Sequence, residues 1–154
     1  MTTNTVTNEQ TVLRITRTFR ASKENIFQAW TTPNALKQWF GPSAEFSIPV
    51  VELDLRVGGR YRIQMIEPSG QTHTAVGEYR EIARPEKLVF TFSWEGGAGC
   101  EGTPIGETLV TVELRQKGNE TEMTLTHDLF PDAQTRDNHY EGWTGCLERL
   151  GQFV

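Results

Sequence analysis

The sequence predicts an α+β fold: a seven-stranded antiparallel sheet wrapped around a long C-terminal helix, with two short helices after the first strand. Three observations support this prediction. Seven segments alternate apolar and polar residues, which is typical of half-buried strands. Short turns containing glycine or proline separate most of the last six segments, as in a meander of hairpins. The end of the chain instead repeats apolar residues at the spacing of an amphipathic helix.

Composition excludes several classes of protein. The chain has 154 residues, of which 36% are hydrophobic and 23% charged, as in an ordinary globular protein. A net charge of -5 argues against nucleic acid as a partner, and no apolar run is long enough to insert into a membrane. Residues 1–11 are polar and do not resemble a secretory signal, so we expect a disordered tail on a cytoplasmic protein. Residues 12–154 are then one domain, with Cys100 and Cys146 as reduced thiols.

The first strand and the two short helices occupy the N-terminal part of this domain. The strand is predicted from Val12 to Phe19, because its β-branched residues alternate with polar ones. Ser22 is a suitable N-cap for the first helix. Thr32 and Pro33 are suited to the cap and first position of the second helix, which Gly41 should end.

Six strands are predicted after Glu45. In order, they are EFSIPVVELDL, RYRIQMI, THTAVGEYREI, KLVFTFSW, GETLVTVELR and TEMTLTHDL. A glycine-rich loop between Glu95 and Gly106 separates the fourth of these strands from the fifth. It fits either a flexible lid over a cavity mouth or a plain disordered loop.

The C-terminal helix is predicted from about Asp132 and should span roughly 33 Å. Its apolar stripe contains Trp143, Leu147, Leu150 and Val154, widened by Cys146 and Phe153. Gly142 and Gly145 interrupt the helix, and each costs about 1 kcal/mol relative to alanine. We expect that they leave space for a cavity beside the sheet, although close packing of helix on sheet is the alternative.

Candidate site residues are the bulky side chains expected on the inner faces. A mostly apolar pocket with a few polar groups would suit a small hydrophobic ligand. The predicted ligand-binding residues are Trp39, Tyr61, Ile63, Met65, Tyr79, Phe90, Phe92, Trp94, His127, His139, Trp143, Cys146 and Leu147.

Catalytic roles are a second possibility for some of these residues. His127 or His139 would act as general base, with Tyr61 or Tyr79 as proton donor or oxyanion partner. His127 is also compatible with a hydrogen-bonded core histidine. Arg17 shares the apolar face of its strand, so its side chain either faces the cavity or is turned away from it by a β-bulge. The histidines lack metal-ligand spacing and no nucleotide or protease motif occurs, so neither a metal nor a cofactor is expected.

The segments WFGP, LDLRVGGRYRIQM, KLVFTFSW and HYEGWTGCLERL resemble the bacterial members of the family of activators of heat-shock protein 90 ATPase homologues. That family belongs to the START/SRPBCC superfamily, whose helix-grip fold is also seen in the birch-pollen allergen. The resemblance implies a hydrophobic cavity between sheet and C-terminal helix and, in many members, a homodimer. A chaperone partner is not expected, because co-chaperone activity in that family relies on an additional N-terminal domain.

Three functional hypotheses follow from the sequence. The first is a binding protein for a small aromatic or lipid-like molecule. The second is a cyclase-, aromatase- or hydrolase-type enzyme that uses the same cavity. The third is an interaction or stress-response protein without a ligand.

Overall fold

The computed structural model describes residues 11–95 and 106–154. They form a seven-stranded antiparallel sheet in the order β1-β7-β6-β5-β4-β3-β2. The strands are β1 (Leu13–Phe19), β2 (Ser47–Leu53), β3 (Arg60–Ile66), β4 (Thr72–Ala83), β5 (Lys87–Trp94), β6 (Thr108–Lys117) and β7 (Glu120–Asp128). The predicted fold class is confirmed. Most of the predicted tail and of the loop between Glu95 and Gly106, including Cys100, lies outside the described residues, so those predictions stay open.

Two short helices follow β1, as predicted. Helix α1 spans Lys23–Thr31, and the Ser22 hydroxyl at its N-cap accepts a hydrogen bond from the backbone N–H of Asn25. Helix α2 spans Pro33–Trp39 and begins with proline at its first turn, where a missing N–H is harmless. Both helices place large apolar side chains over the sheet, because their buried residues include Trp30, Leu36 and Trp39.

The sheet is bent across its middle strands. A register shift interrupts the pairing of β4 with β5 between Tyr79 and Glu81, and a second shift lies in β2. Such bulges increase the local twist of a strand and help a sheet to curve. The concave face carries the aromatic residues of β3, β4 and β5, which the helices cover.

Helix α3 (Ala133–Phe153) lies over the sheet through the stripe that the sequence predicts. Trp143, Cys146, Leu147 and Leu150 are all buried. The prediction that Phe153 widens this stripe is wrong, because Phe153 is 44% exposed. The Asp132 side chain caps the helix by accepting from the Thr135 N–H at 2.8 Å.

Gly145 does not face a cavity, so the prediction for that glycine is wrong, whereas the prediction for Gly142 stays open. A Cβ at Gly145 would clash with the carbonyl group of Pro42, in the segment that follows α2. The position requires glycine because the helix and this backbone are in close contact. At Gly142 a Cβ would have no neighbour within 4 Å among the described residues. Close packing therefore explains Gly145, and Gly142 has no packing role that we can identify.

The same segment after α2 is bound to α3 by Arg149. Its guanidinium group donates to the carbonyl oxygens of Gln38 (3.0 Å), Phe40 (2.9 Å), Gly41 (3.4 Å) and Ser43 (3.1 Å). These carbonyls belong to the end of α2 and the turn beyond it, where backbone acceptors lack helical partners. Arg149 thus fixes the position of α2 against α3.

Candidate functional site

A small cavity lies in the core between the two short helices and the concave face of the sheet. Its volume is about 20 Å³. A single water molecule needs about this much space, whereas ligand pockets usually measure several hundred Å³. The lining combines residues from both layers: Trp30, Leu36, Phe40, Leu53, Tyr61, Ile63, Tyr79, Leu88, Phe90 and Phe92.

The structure brings part of the predicted ligand-binding set to this cavity. The predicted residues that line it are Tyr61, Ile63, Tyr79, Phe90 and Phe92. The others are buried or half-buried elsewhere in the core or under α3: Trp39, Met65, Trp94, His127, His139, Trp143, Cys146 and Leu147. The sequence-based set omitted Trp30, Leu36, Phe40, Leu53 and Leu88. Trp30, Leu36 and Phe40 were recognisable as apolar residues of the short helices, but their spacing does not show which of them face a gap.

His127 is a fully hydrogen-bonded core histidine. The indole N–H of Trp143 donates to His127 Nδ1 at 3.0 Å, which fixes the imidazole proton on Nε2. His127 Nε2 then donates to the Thr108 hydroxyl at 2.7 Å, and that hydroxyl donates to the Phe92 carbonyl at 2.6 Å. This chain of bonds links α3 to β5, β6 and β7.

His139 is held in the other tautomer. The indole N–H of Trp94 donates to His139 Nε2 at 3.1 Å, so the proton lies on Nδ1. His139 Nδ1 donates to the Thr135 carbonyl at 2.9 Å. The two imidazole centroids are 5.7 Å apart, and the Phe130 ring contacts both of them.

Both histidines are therefore neutral and have no free nitrogen. Burial lowers the pKa of His127 well below its ordinary value, and the neighbouring His139 lowers it further. Burial also lowers the pKa of His139, although its hydrogen bond to Thr135 acts in the opposite direction. A general base needs an accessible lone pair. In this arrangement the lone pair of each imidazole is occupied by a tryptophan N–H.

Tyr61 uses its hydroxyl proton within the protein. It donates to the Thr91 carbonyl at 2.7 Å, across the neighbouring strand β4. Gly77, the cross-strand partner of Tyr61, permits this because a Cβ there would clash with the tyrosine ring and with Thr91. Burial raises the pKa of Tyr61 well above its ordinary value, and burial raises that of Tyr79 as well. Both side chains are neutral phenols that contribute mainly apolar ring surface to the cavity.

Trp30 differs from the other residues that line the cavity. Its side chain is buried, and its indole Nε1–H has no hydrogen-bond partner among the described residues. The ring packs against Trp39, Phe90 and Trp143, with centroid separations of 4.8, 6.3 and 5.8 Å. A buried donor without an acceptor costs about 1–3 kcal/mol.

Other candidate features lie outside this cavity. Arg17, whose direction the sequence left open, pairs with Glu148 of α3 at 3.2 Å and does not line the cavity. The third histidine, His73, is buried beside the Trp94 ring and is hydrogen-bonded to Glu67. No group of three potential metal ligands occurs within residues 11–95 and 106–154.

A larger groove of about 550 Å³ lies on the surface between α1 and the turn that joins β4 to β5. Its walls include the charged residues Glu24 and Arg84, and the Arg84 guanidinium lies 5.5 Å from the centre of the Phe27 ring. None of the predicted site residues lines this groove. The core cavity is therefore the better candidate for a ligand site.

Comparison with known protein families supports the resemblance noted in the sequence. The family described as activator of Hsp90 ATPase homolog 1-like protein matches residues 20–154. The chain belongs to this family. Among the solved structures similar to this AHSA1-like chain, a protein from Chromobacterium violaceum is 28% identical. The TM-score is 0.82, and the match covers 94% of this chain and 96% of that one.

Further relatives share the AHSA1-like fold. The AHSA1 protein from Silicibacter pomeroyi is 24% identical, with a TM-score of 0.76 over 92% of this chain and 95% of that one. A putative uncharacterized protein from Rhizobium leguminosarum is 25% identical, with a TM-score of 0.76 over 94% and 93%. The comparison with curated proteins gave no significant match. None of the helices among the described residues has the length and apolar character needed to cross a membrane.

Proposed function

We propose that this AHSA1-like protein binds a small aromatic molecule between the concave face of the sheet and the two short helices. The observation that carries the proposal is the core cavity, because it lies between two layers of the fold and is walled by aromatic rings from both. Trp30 and Phe40 contribute from the helical side, and Tyr61, Tyr79 and Phe90 contribute from the sheet. Pockets of this composition suit flat apolar molecules.

Binding requires the cavity to expand, because its volume of about 20 Å³ is too small for an aromatic ring. The sheet side of the cavity is fixed by antiparallel pairing of β2, β3, β4 and β5 along their backbones. The other side consists of helices of nine and seven residues, which are too short to be stable on their own. We infer that α1 moves outward when the ligand enters, because Arg149 holds α2 against α3.

The enzyme hypothesis has less support. Its candidate catalytic residues His127, His139 and Tyr61 use their imidazole nitrogens and phenol proton in hydrogen bonds inside the protein. Neither histidine lines the cavity. A ligand bound there would therefore meet ring surfaces and no available base.

The hypothesis of an interaction protein without a ligand is the second candidate. The observation in its favour is the small volume of the cavity, since a core filled by its own side chains needs no ligand. The two functions differ in whether the protein retains a small molecule. Native mass spectrometry of freshly purified protein, followed by denaturing extraction, distinguishes them.

The test becomes specific with a variant that blocks the cavity. Leu53 and Val51 are both half-buried and lie on the same strand, but only Leu53 belongs to the cavity lining. Leu53→Phe should reduce the amount of bound molecule about tenfold, because even a 1.4 kcal/mol loss has this effect. Val51→Phe is the matched control and should retain the molecule. Equal retention by both variants would place the binding site elsewhere, and wild-type protein that neither carries nor takes up an aromatic molecule would contradict the proposal.

Two related expectations stay predictions. The resemblance to the family implies a homodimer, and a cytoplasmic location is also expected. The mass of the native species reports the first directly. Fractionation of cells that express the protein reports the second.

A further inference from the structure

The indole N–H groups of this protein divide into two kinds. The chain contains four tryptophans, and all four side chains are buried. Trp39 donates to the Ala29 carbonyl, Trp94 to His139 and Trp143 to His127, at 3.0–3.1 Å. Trp30 is the exception among the described residues, because its N–H has no acceptor, and it is also the tryptophan that lines the cavity. Buried donors are almost always paired, so the unpaired one requires an explanation.

We propose that the Trp30 indole N–H is the recognition donor of the site, and that the ligand is a neutral aromatic molecule with a carbonyl oxygen as acceptor. This inference rests on the proposed function and adds the chemical class of the ligand. The aromatic part of the ligand would pack among Phe40, Phe90 and the tyrosine rings, which line the same cavity. The carbonyl oxygen would accept the hydrogen bond that the protein leaves unmade.

The lining also explains why the ligand should be neutral. No charged side chain lines the cavity. A carboxylate or a sulfonate would be buried there without a counter-charge, which is strongly unfavourable. The proton of Tyr61 is already donated to Thr91, so it does not compete with Trp30 for the acceptor.

A water molecule is the simplest competing occupant. The cavity has the volume for one, and Trp30 would be one of the two or more polar partners that a buried water needs. If the natural occupant is water, a ligand with a carbonyl oxygen should bind no better than a ligand of the same shape without one. If the occupant is a carbonyl compound, the ligand with the oxygen should bind better. Acetophenone and α-methylstyrene have nearly the same shape, but only acetophenone carries an acceptor oxygen.

The experiment measures the dissociation constants of both compounds by NMR titration and follows the four indole N–H resonances. We expect acetophenone to shift the Trp30 N–H resonance downfield, whereas α-methylstyrene should not. The preference for acetophenone over α-methylstyrene should fall about tenfold in Trp30→Phe, as expected when one buried hydrogen bond is lost. Trp39→Phe is the matched control: it removes an N–H that already has a protein acceptor, so the preference should be unchanged.

Each outcome has a distinct meaning. If the wild type and Trp30→Phe each bind acetophenone and α-methylstyrene equally well, the role of Trp30 is overturned and the proposed function is left intact. Failure of both compounds to perturb any residue of the cavity lining would overturn the proposed function as well. If Trp30→Phe does not fold, the shift of the Trp30 resonance in the wild-type protein decides the question, and no shift with bound acetophenone would overturn the inference.

Discussion

Gly142 and Gly145 lie three residues apart in α3, and the structure predicts opposite effects when each is replaced by alanine. No atom of the described residues lies within 4 Å of the Cβ that Gly142→Ala would add, so this change only improves helix propensity. Gly145 faces the carbonyl group of Pro42, so Gly145→Ala introduces a clash with backbone. The pair thus tests how α3 docks on the segment that follows α2.

The expected magnitudes follow from the local contacts. Gly142→Ala should stabilise the protein by about 1 kcal/mol, which raises the Tm by about 2–4 °C in a protein of this size. Gly145→Ala gains the same helix propensity, but overpacking against the Pro42 carbonyl group destabilises the protein by about 1–3 kcal/mol. The upper end applies because Arg149 binds four carbonyl oxygens of this segment and prevents it from retreating. The net loss should be about 2 kcal/mol.

Urea denaturation followed by circular dichroism measures both variants against the wild type. The informative quantity is the difference between the two variants in the free energy of unfolding, expected to be about 3 kcal/mol from the two estimates together. If the two alanine variants have equal stability, then α3 does not pack against Pro42 as described. If Gly142→Ala destabilises the protein, that position contacts something the structure does not show.

Three further predictions concern the histidine network and the segment after α2. The free energy of unfolding should fall as the pH drops below about 6.5. Below this pH the unfolded chain binds protons at His127 and His139, whereas the folded protein does not, because both pKa values are lowered there. The slope should approach about 1.4 kcal/mol per pH unit for each histidine, and a flat urea stability profile between pH 7 and 5 would contradict it. Trp143→Phe removes the N–H group that donates to His127 Nδ1 and leaves a gap in the core, so it should lower the free energy of unfolding by about 2–3 kcal/mol. A loss below about 1 kcal/mol would mean that this hydrogen bond is not formed. Arg149→Met should destabilise the protein by about 2 kcal/mol and increase proteolysis of the segment after α2, and unchanged proteolysis would show that the arginine does not hold this segment.

The strands and helices were predictable because their signals are local. The alternation of Tyr61, Ile63 and Met65 with polar residues identifies the inner face of β3 without reference to any other part of the chain. The cap at Ser22 and the proline at the start of α2 likewise depend on neighbours a few residues away. The place of β1 beside β7 was not predicted, because periodicity does not show which distant strands pair.

The site was less predictable because its contacts join distant parts of the sequence. The need for glycine at position 145 comes from Pro42, and the tautomer of His127 comes from Trp143 and Thr108 on other elements. Periodicity indicates that these residues face inward, but it does not show which inward side chains meet a partner. For the same reason the sequence did not single out Trp30, because its distinguishing feature is that its indole N–H has no hydrogen-bond acceptor among the described residues.

The central claim is that the core cavity opens to accept an aromatic carbonyl compound, and a crystal structure of the protein with an excess of acetophenone tests it most directly. The expected result is one acetophenone molecule among the rings of Trp30, Phe40 and Phe90, with its oxygen about 3 Å from Trp30 Nε1 and with α1 displaced outward. A core that keeps its cavity of about 20 Å³ at saturating acetophenone, empty or occupied by a single water, would contradict the claim.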